Sequence, residues 1–246
     1  MISAIILAKN EERNIEKCLA GLKWCNEIIV IDDDSTDLTP DLAKKSGAQV
    51  ISRKLINFSE QRNYGLTLVK NDWVLFIDAD EIVSEALSQE ILNAIADRNV
   101  NGFSLKREDV LWGKKIKFGD GRKLKAIRLG KKNKGKWVGD VHEVWKITQP
   151  TRELRTKLIH YPHQSISEFL TEINNYSTLR AHELAREGKK SSALSIIFYT
   201  KGKFIDNYLL KLGFLDGVPG LIRALMMSYY SFLVRAKLWI IKADKK

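Results

Sequence analysis

Continuous apolar runs of strand length alternate with stretches of helical spacing through roughly the first third of the chain. Ser3 to Leu7, Glu27 to Ile31, Ala48 to Ser52 and Trp73 to Ile77 have β composition, and unbroken runs of this kind read as strands covered on both faces. Between them, Asn10-Glu11-Glu12-Arg13-Asn14 opens a helix carrying Ile15, Cys18, Leu19 and Leu22, with Asn10 as its N-cap. Thr36 or Asp37 caps a second helix, Thr39 to Ser46, and Gly47 stands where a C-cap glycine belongs. A third, Phe58 to Val69, has Gln61-Arg62-Asn63 in its first turns. Parallel neighbours need crossover connections, so four strands alternating with three helices predict a parallel α/β sheet.

The polar residues that end these runs carry the chemistry. The second strand stops at Asp32-Asp33-Asp34-Ser35-Thr36-Asp37 and the fourth at Asp78-Ala79-Asp80-Glu81. One account is local: acids are favoured at helix N-termini, and a helix is predicted from Ser84. Two acidic clusters at the carboxyl ends of strands in one sheet point further, because open α/β sheets bind ligands in the crevice outside those ends. Asp-x-Asp offers oxygen ligands to a hard cation, Mg2+ or Mn2+, which such sites hold through one or two carboxylates and substrate phosphates.

After Glu81 the pattern changes. Ser84 to Asp97 is helical, with Leu87, Ile91 and Ile95 inward, and then come short strands: Gly102 to Arg107, Lys115 to Phe118, Lys125 to Leu129 and Val141 to Ile147. This glycine-rich stretch holds Trp112, Trp137 and Trp145, and 13 lysines and arginines against three acids between Lys106 and Lys136. Indole faces pack on sugar rings and basic side chains meet phosphates; the alternative is a tryptophan core with a solvated basic face. From Ser165 the chain is helical in three pieces, Ser165 to Glu187, Ser191 to Leu212 and Val218 to Lys242, which predicts a catalytic domain over 1–164 and a helical region over 165–246.

The charge of +11 over 246 residues is uneven: after Gly188, 11 lysines and arginines face three aspartates. Such a tail suits an anionic membrane surface. The apolar segment Ala224 to Val234 is too short to span a bilayer. It reads as an interfacial helix offering Leu221, Leu225, Tyr229, Phe232, Leu238 and Trp239 to the headgroup boundary. Met1 to Lys9 reads as a strand rather than a signal peptide, and Cys18 and Cys25 as small buried hydrophobes in a reducing cytoplasm. A nucleic-acid binder would account for the basic charge but not for carboxylates at two strand ends, which repel phosphates, so nucleic acid is not an expected partner. A sugar-1-phosphate nucleotidyltransferase would need a glycine-rich loop after the first strand, where Leu7-Ala8-Lys9-Asn10-Glu11-Glu12 has no glycine.

Ile2 to Asn10 with Glu11-Glu12, Val30-Ile31-Asp32-Asp33-Asp34-Ser35-Thr36-Asp37, Gln61-Arg62-Asn63 and Phe76-Ile77-Asp78-Ala79-Asp80-Glu81 together resemble family 2 inverting glycosyltransferases of the GT-A fold. Val141-His142-Glu143, Leu158-Ile159-His160-Tyr161 and Gly213-Phe214-Leu215-Asp216-Gly217 look like the bacterial subgroup that includes lipopolysaccharide core glucosyltransferases. Asp34 departs from the family's usual glycine. The resemblance implies a GT-A α/β domain with a mostly parallel central sheet and a helical C-terminal extension. It implies a UDP-sugar donor and a divalent metal, with Asn10, Asp32, Asp33, Arg62, Asn63, Asp78 and Arg128 on the nucleotide and diphosphate. Asp80, Asp78 and His160 would serve the metal. The base would be Glu143, with Asp140 second and His142 as its partner. The acceptor would be a lipid-linked saccharide or lipopolysaccharide core on the inner face of the cytoplasmic membrane. A catalytically silent membrane-associated or glycan-binding protein on the same fold is the alternative.

Overall fold

The computed structural model describes residues 1–120, 125–139, 143–162 and 165–243. The chain forms two compact units, one of residues 1–107 and 123–160, the other of 108–122 and 161–246.

The first unit opens with β1 (Ile2–Ala8), α1 (Ile15–Ala20), β2 (Glu27–Asp32), α2 (Thr39–Lys45), β3 (Gln49–Ser52), α3 (Phe58–Leu68) and β4 (Trp73–Asp78). After β4 come β5 (Glu81–Ile82) and α4 (Glu85–Ala94). The strands β1 to β4 are parallel in the order β3-β2-β1-β4, as the alternation predicts. Ile5, Ile6, Ile29, Ile31, Leu75, Phe76 and Ile77 are all fully buried, so the three central strands are covered on both faces and the sequence shows runs instead of alternation. One cover is α3, which lies so close that a Cβ on Gly65 would stand 3.0 Å from Ile5 Cγ2 and 3.1 Å from Ile31 Cδ1.

Beyond β4 the sheet turns mixed. The strands β6 (Gly102–Leu111), β7 (Lys114–Lys115), β8 (Lys125–Lys131), β9 (Gly135–Val138), β10 (Val144–Ile147), β11 (Thr151–Glu153) and β12 (Leu158–His160) follow in the chain. β8 adds to β4 and β6 to β8, both antiparallel, and the order continues through β12 to β5. β9 and β10 make a separate antiparallel pair. β9 and β11 escape sequence periodicity, because they carry too few residues to establish it, and β6 runs four residues beyond the expected Arg107.

One expectation fails and two alternatives left open by the sequence are decided. Asn10 does not cap α1, which starts only at Ile15; its backbone is left-handed (φ 55°) and its side chain accepts the Thr36 N–H at 2.8 Å, so it ties the β1 loop to the β2 loop. Ser84, not an acid, caps α4. Trp137 and Trp145 are core residues, stacked on each other at 5.5 Å and both edge-on to Phe76. Burial to 3% and 1% removes them as sugar platforms.

The second unit contains α5 (Ile166–Arg186), α6 (Ala193–Ile205), a π-helical turn over Asp206–Leu210, a 3-10 turn over Gly213–Asp216 and α7 (Val218–Ala243). The segment 108–122 belongs with these helices, a long-range association that local periodicity does not encode. Buried Asp216 accepts the backbone N–H groups of Lys117 and Phe118, while Lys114 Nζ donates to its carbonyl at 2.7 Å. Arg223 pairs with Asp109 at 3.0 Å, and Lys203 and Lys211 both bind Asp120. Ala224, Met226, Val234 and Leu238 of α7 are buried, so Leu238 is not free to meet headgroups, whereas Leu225, Tyr229, Phe232 and Trp239 remain exposed. No helix among the described residues is long and apolar enough to cross a membrane.

Candidate active site

The register brings the two acidic strand ends together. Ala8 of β1 lies opposite Asp32 on one side, and Leu7 opposite Asp78 on the other. Neighbouring strands are about 4.8 Å apart, so the backbones of Asp32 and Asp78 stand about 10 Å apart across the end of β1.

Asp78 is the hub. Arg62 Nη2, from α3, donates to its Oδ1 at 2.7 Å, and Arg128 Nη2, from β8, to its Oδ2 at 2.8 Å. Burial would raise the carboxyl's pKa, but the Arg128 and Arg62 guanidiniums outweigh it and hold the group far below the usual carboxylate range. Both oxygens thus accept guanidinium N–H groups. Arg62 is 3% exposed, lies over the Trp137 ring at 4.8 Å, and also donates from Nε to Glu143 Oε1 at 3.1 Å. One guanidinium therefore ties the end of β4 to a carboxylate 81 positions after Arg62 itself. Nη1 of Arg62 and Nη1 of Arg128 have no hydrogen-bond partner among the described residues.

Glu81 supports this hub from beneath. It is fully buried, accepts the Asp78 N–H at 2.9 Å, and lies 3.5 Å from Arg128. Burial pushes its carboxyl up, with Asp78 and Asp80 adding against the opposing Arg128 and His160. Sequence reasoning assigned Glu81 no role; its position after Asp-x-Asp and at the start of a two-residue strand was the available signal.

Asp80 meets His160, whose Nε2 is 3.0 Å from its Oδ2. The contact follows from register, since β12 pairs with β5 and sets His160 opposite Glu81. Among the described residues no three His, Cys, Asp or Glu side chains converge on one point. The pair nonetheless fits a hard divalent ion of the kind that takes one or two protein ligands and fills its remaining positions from substrate phosphates and water.

On the other side of β1, Asp32 accepts the Ser35 N–H at 3.0 Å through one oxygen, while its buried Oδ1 has no partner among the described residues. Asp33 is spent on Lys9 at 2.8 Å and on the Leu55 N–H at 2.7 Å. Asp34 adopts φ 50°, the left-handed backbone for which glycine would be usual, and accepts from Ser52 Oγ. Asn63 is not brought to the site, because its amide donates to the Trp137 carbonyl and accepts the Trp137 N–H, both at 2.9 Å, so it anchors β9. Asp140 and His142 lie outside the described residues.

A parallel β3-β2-β1-β4 sheet with antiparallel additions beyond β4 and carboxylates at the strand ends is the GT-A arrangement of a glycosyltransferase. The chain belongs to the glycosyl transferase family 2, whose model matches residues 3–149. It is 28% identical to an uncharacterised glycosyltransferase of Rickettsia bellii over 96% of this chain and 85% of that protein. It is likewise 28% identical to the lipopolysaccharide core biosynthesis glycosyltransferase LpsC of Rhizobium meliloti, over 97% of this chain and 92% of LpsC. Glucosyl-3-phosphoglycerate synthase of Mycobacterium tuberculosis, solved with Mn2+ and UDP, is 26% identical over 46% of this chain and 44% of that one, with a TM-score of 0.38. That overlap is too small to bear on the site.

Proposed function

We propose that this chain is a metal-dependent inverting glycosyltransferase that moves a hexosyl group from a nucleoside diphosphate sugar, UDP-linked, to a saccharide acceptor of lipopolysaccharide-core type at an anionic membrane surface. The observation that carries the reading is the Arg62 bridge between Asp78 and Glu143, which joins a donor-side carboxylate to a candidate base at the mouth of the sheet. The acceptor class is supported by LpsC, similar along nearly the whole chain.

In this reading Asp32 Oδ1 accepts a hydrogen bond from the nucleoside, by the uracil N3–H or a ribose hydroxyl. Arg62 and Arg128, each with an unspent N–H, face the diphosphate. Asp80 and His160 are the residues that would hold a divalent ion, whose chemistry there is to offset negative charge on the departing diphosphate. Glu143 accepts the proton of the acceptor hydroxyl as that oxygen bonds to the anomeric carbon, and the bond from that carbon to the phosphate oxygen breaks, its electron pair leaving with the nucleoside diphosphate. Attack from the face opposite the nucleotide inverts the anomeric centre.

Loss of a general base costs about 10²- to 10⁴-fold in rate, so Glu143→Gln should lose sugar transfer while binding UDP with near-normal affinity. Asp80→Asn should lose the Mn2+-dependent part of UDP binding. Full transfer by Glu143→Gln would refute the assignment of the base, and transfer undiminished in EDTA that of the metal.

A further inference from the structure

The helix α6 is unlike the other long helices of its unit: none of its residues is buried. One side rests on α7, with Ser228 Oγ donating to the Thr200 carbonyl at 2.8 Å and Ser231 Oγ to that of Tyr199 at 3.2 Å. The opposite side is an apolar stripe at helical spacing. Leu194, Ile197, Phe198 and Ile205 lie along it with exposures of 45–69%, and the following turn adds Leu209 and Leu210 at 50% and 74%. Exposed apolar side chains scattered singly need no explanation, but a contiguous row does.

The charge around the stripe says what covers it. Lys201 is exposed within it, and Arg186, Lys189 and Lys190 are exposed just before α6 begins. Glu187 is exposed beside Arg186, and the only acid between Lys189 and Leu210 is Asp206, which is paired with Lys211. An apolar row edged by cations matches the boundary between acyl chains and anionic headgroups, where each basic residue and each inserted methylene adds to binding. A second protein chain would ordinarily meet such a row with a dry interface and no need of a predominantly cationic border.

We propose that α6 and the turn after it form the membrane-docking surface, seated in the headgroup region of an anionic bilayer. The proposal rests on the reading that the acceptor is presented at a membrane, and it moves the docking element from α7, where the sequence located it, to α6. Attachment then combines a salt-sensitive part from the cations with a salt-resistant part from the inserted stripe.

The test is co-sedimentation of the full chain with neutral phosphatidylcholine vesicles and with vesicles containing anionic phosphatidylglycerol. Donor turnover in solution and sedimentation velocity are measured on the same samples. The wild type should bind the anionic vesicles, and Leu194→Glu with Phe198→Glu should weaken that partition about tenfold or more, from the loss of inserted apolar surface. Leu210→Glu, outside α6, should act in the same direction and guards against a local effect on the helix. Leu225→Glu with Trp239→Glu, on the exposed side of α7, should leave partition nearly unchanged. Equal loss from the α7 pair, or no vesicle binding by the wild type, overturns the proposal. So does a wild-type dimer that the α6 pair converts to monomer, which would give the stripe to a second copy. Absence of donor turnover with vesicle binding intact would instead count against the catalytic reading alone.

Discussion

Arg62 is the most exacting place to test the site, because one side chain serves two carboxylates. Arg62→Met removes the 2.7 Å bond to Asp78 and the 3.1 Å bond to Glu143 together. Breaking a buried ion pair by deleting one partner costs about 3–5 kcal/mol. Asp78 keeps Arg128 at 2.8 Å and its side chain is 31% exposed, so water and the second guanidinium absorb part of the loss and the lower end applies. In a protein of this size about 3 kcal/mol lowers the midpoint of thermal unfolding by roughly 6–12 °C. Arg62→Lys separates stability from function. A lysine restores positive charge beside Asp78, but a single ammonium does not reproduce the fork that reaches both acids. It should recover most of the thermal loss while sugar transfer stays down about 100-fold, the cost of a reacting group displaced by about 1 Å. Circular dichroism melts and a transfer assay on the wild type and both variants measure the two effects. Arg62→Lys with wild-type turnover would refute the bridge as a functional element, and Arg62→Met with a wild-type melting point would refute it as a structural one.

Two glycines of the helical unit should respond oppositely to alanine. Gly202 lies inside α6 with nothing near its missing Cβ, so Gly202→Ala should stabilise by about 0.5–1 kcal/mol in chemical denaturation. At Gly220 a Cβ would stand 2.0 Å from the Gly213 carbonyl oxygen, and Gly220→Ala should destabilise by about 1–3 kcal/mol or more. Asp120 makes a pH prediction: burial would raise its carboxyl, but Lys203 and Lys211 outweigh that and hold it down at about 2. A depressed carboxylate contributes stability that is present above its unfolded pKa of about 3.9 and lost as pH falls toward 2. The stability gap between wild type and Asp120→Asn should therefore narrow between pH 5 and pH 3; a gap constant over that range would show that the lysines contribute no electrostatic stabilisation.

The first four strands and the helices between them were legible because a strand covered on both faces must be apolar throughout, and that constraint is written in consecutive residues. The same local logic put Asp32 and Asp78 at strand ends, since an apolar run stops where the sheet meets solvent. What those acids do was decided by contacts that no local pattern encodes. Arg62 and Glu143 are 81 residues apart, and Asp80 meets His160 only because β12 pairs with β5 in that register. The tryptophans make the point from the other side. An indole's composition suits a sugar ring and a protein core equally, and the packing of Trp137 and Trp145 on Phe76 chose the core. On α7 the sequence pattern announced an apolar face, but such a face does not say what covers it. Tertiary packing covered Leu238 and Ala224 and left Leu225 and Trp239 of the same helix, with Leu194, Phe198 and Leu210, facing outward. Sequence fixes which face of an element avoids water, and only the folded chain determines which faces meet.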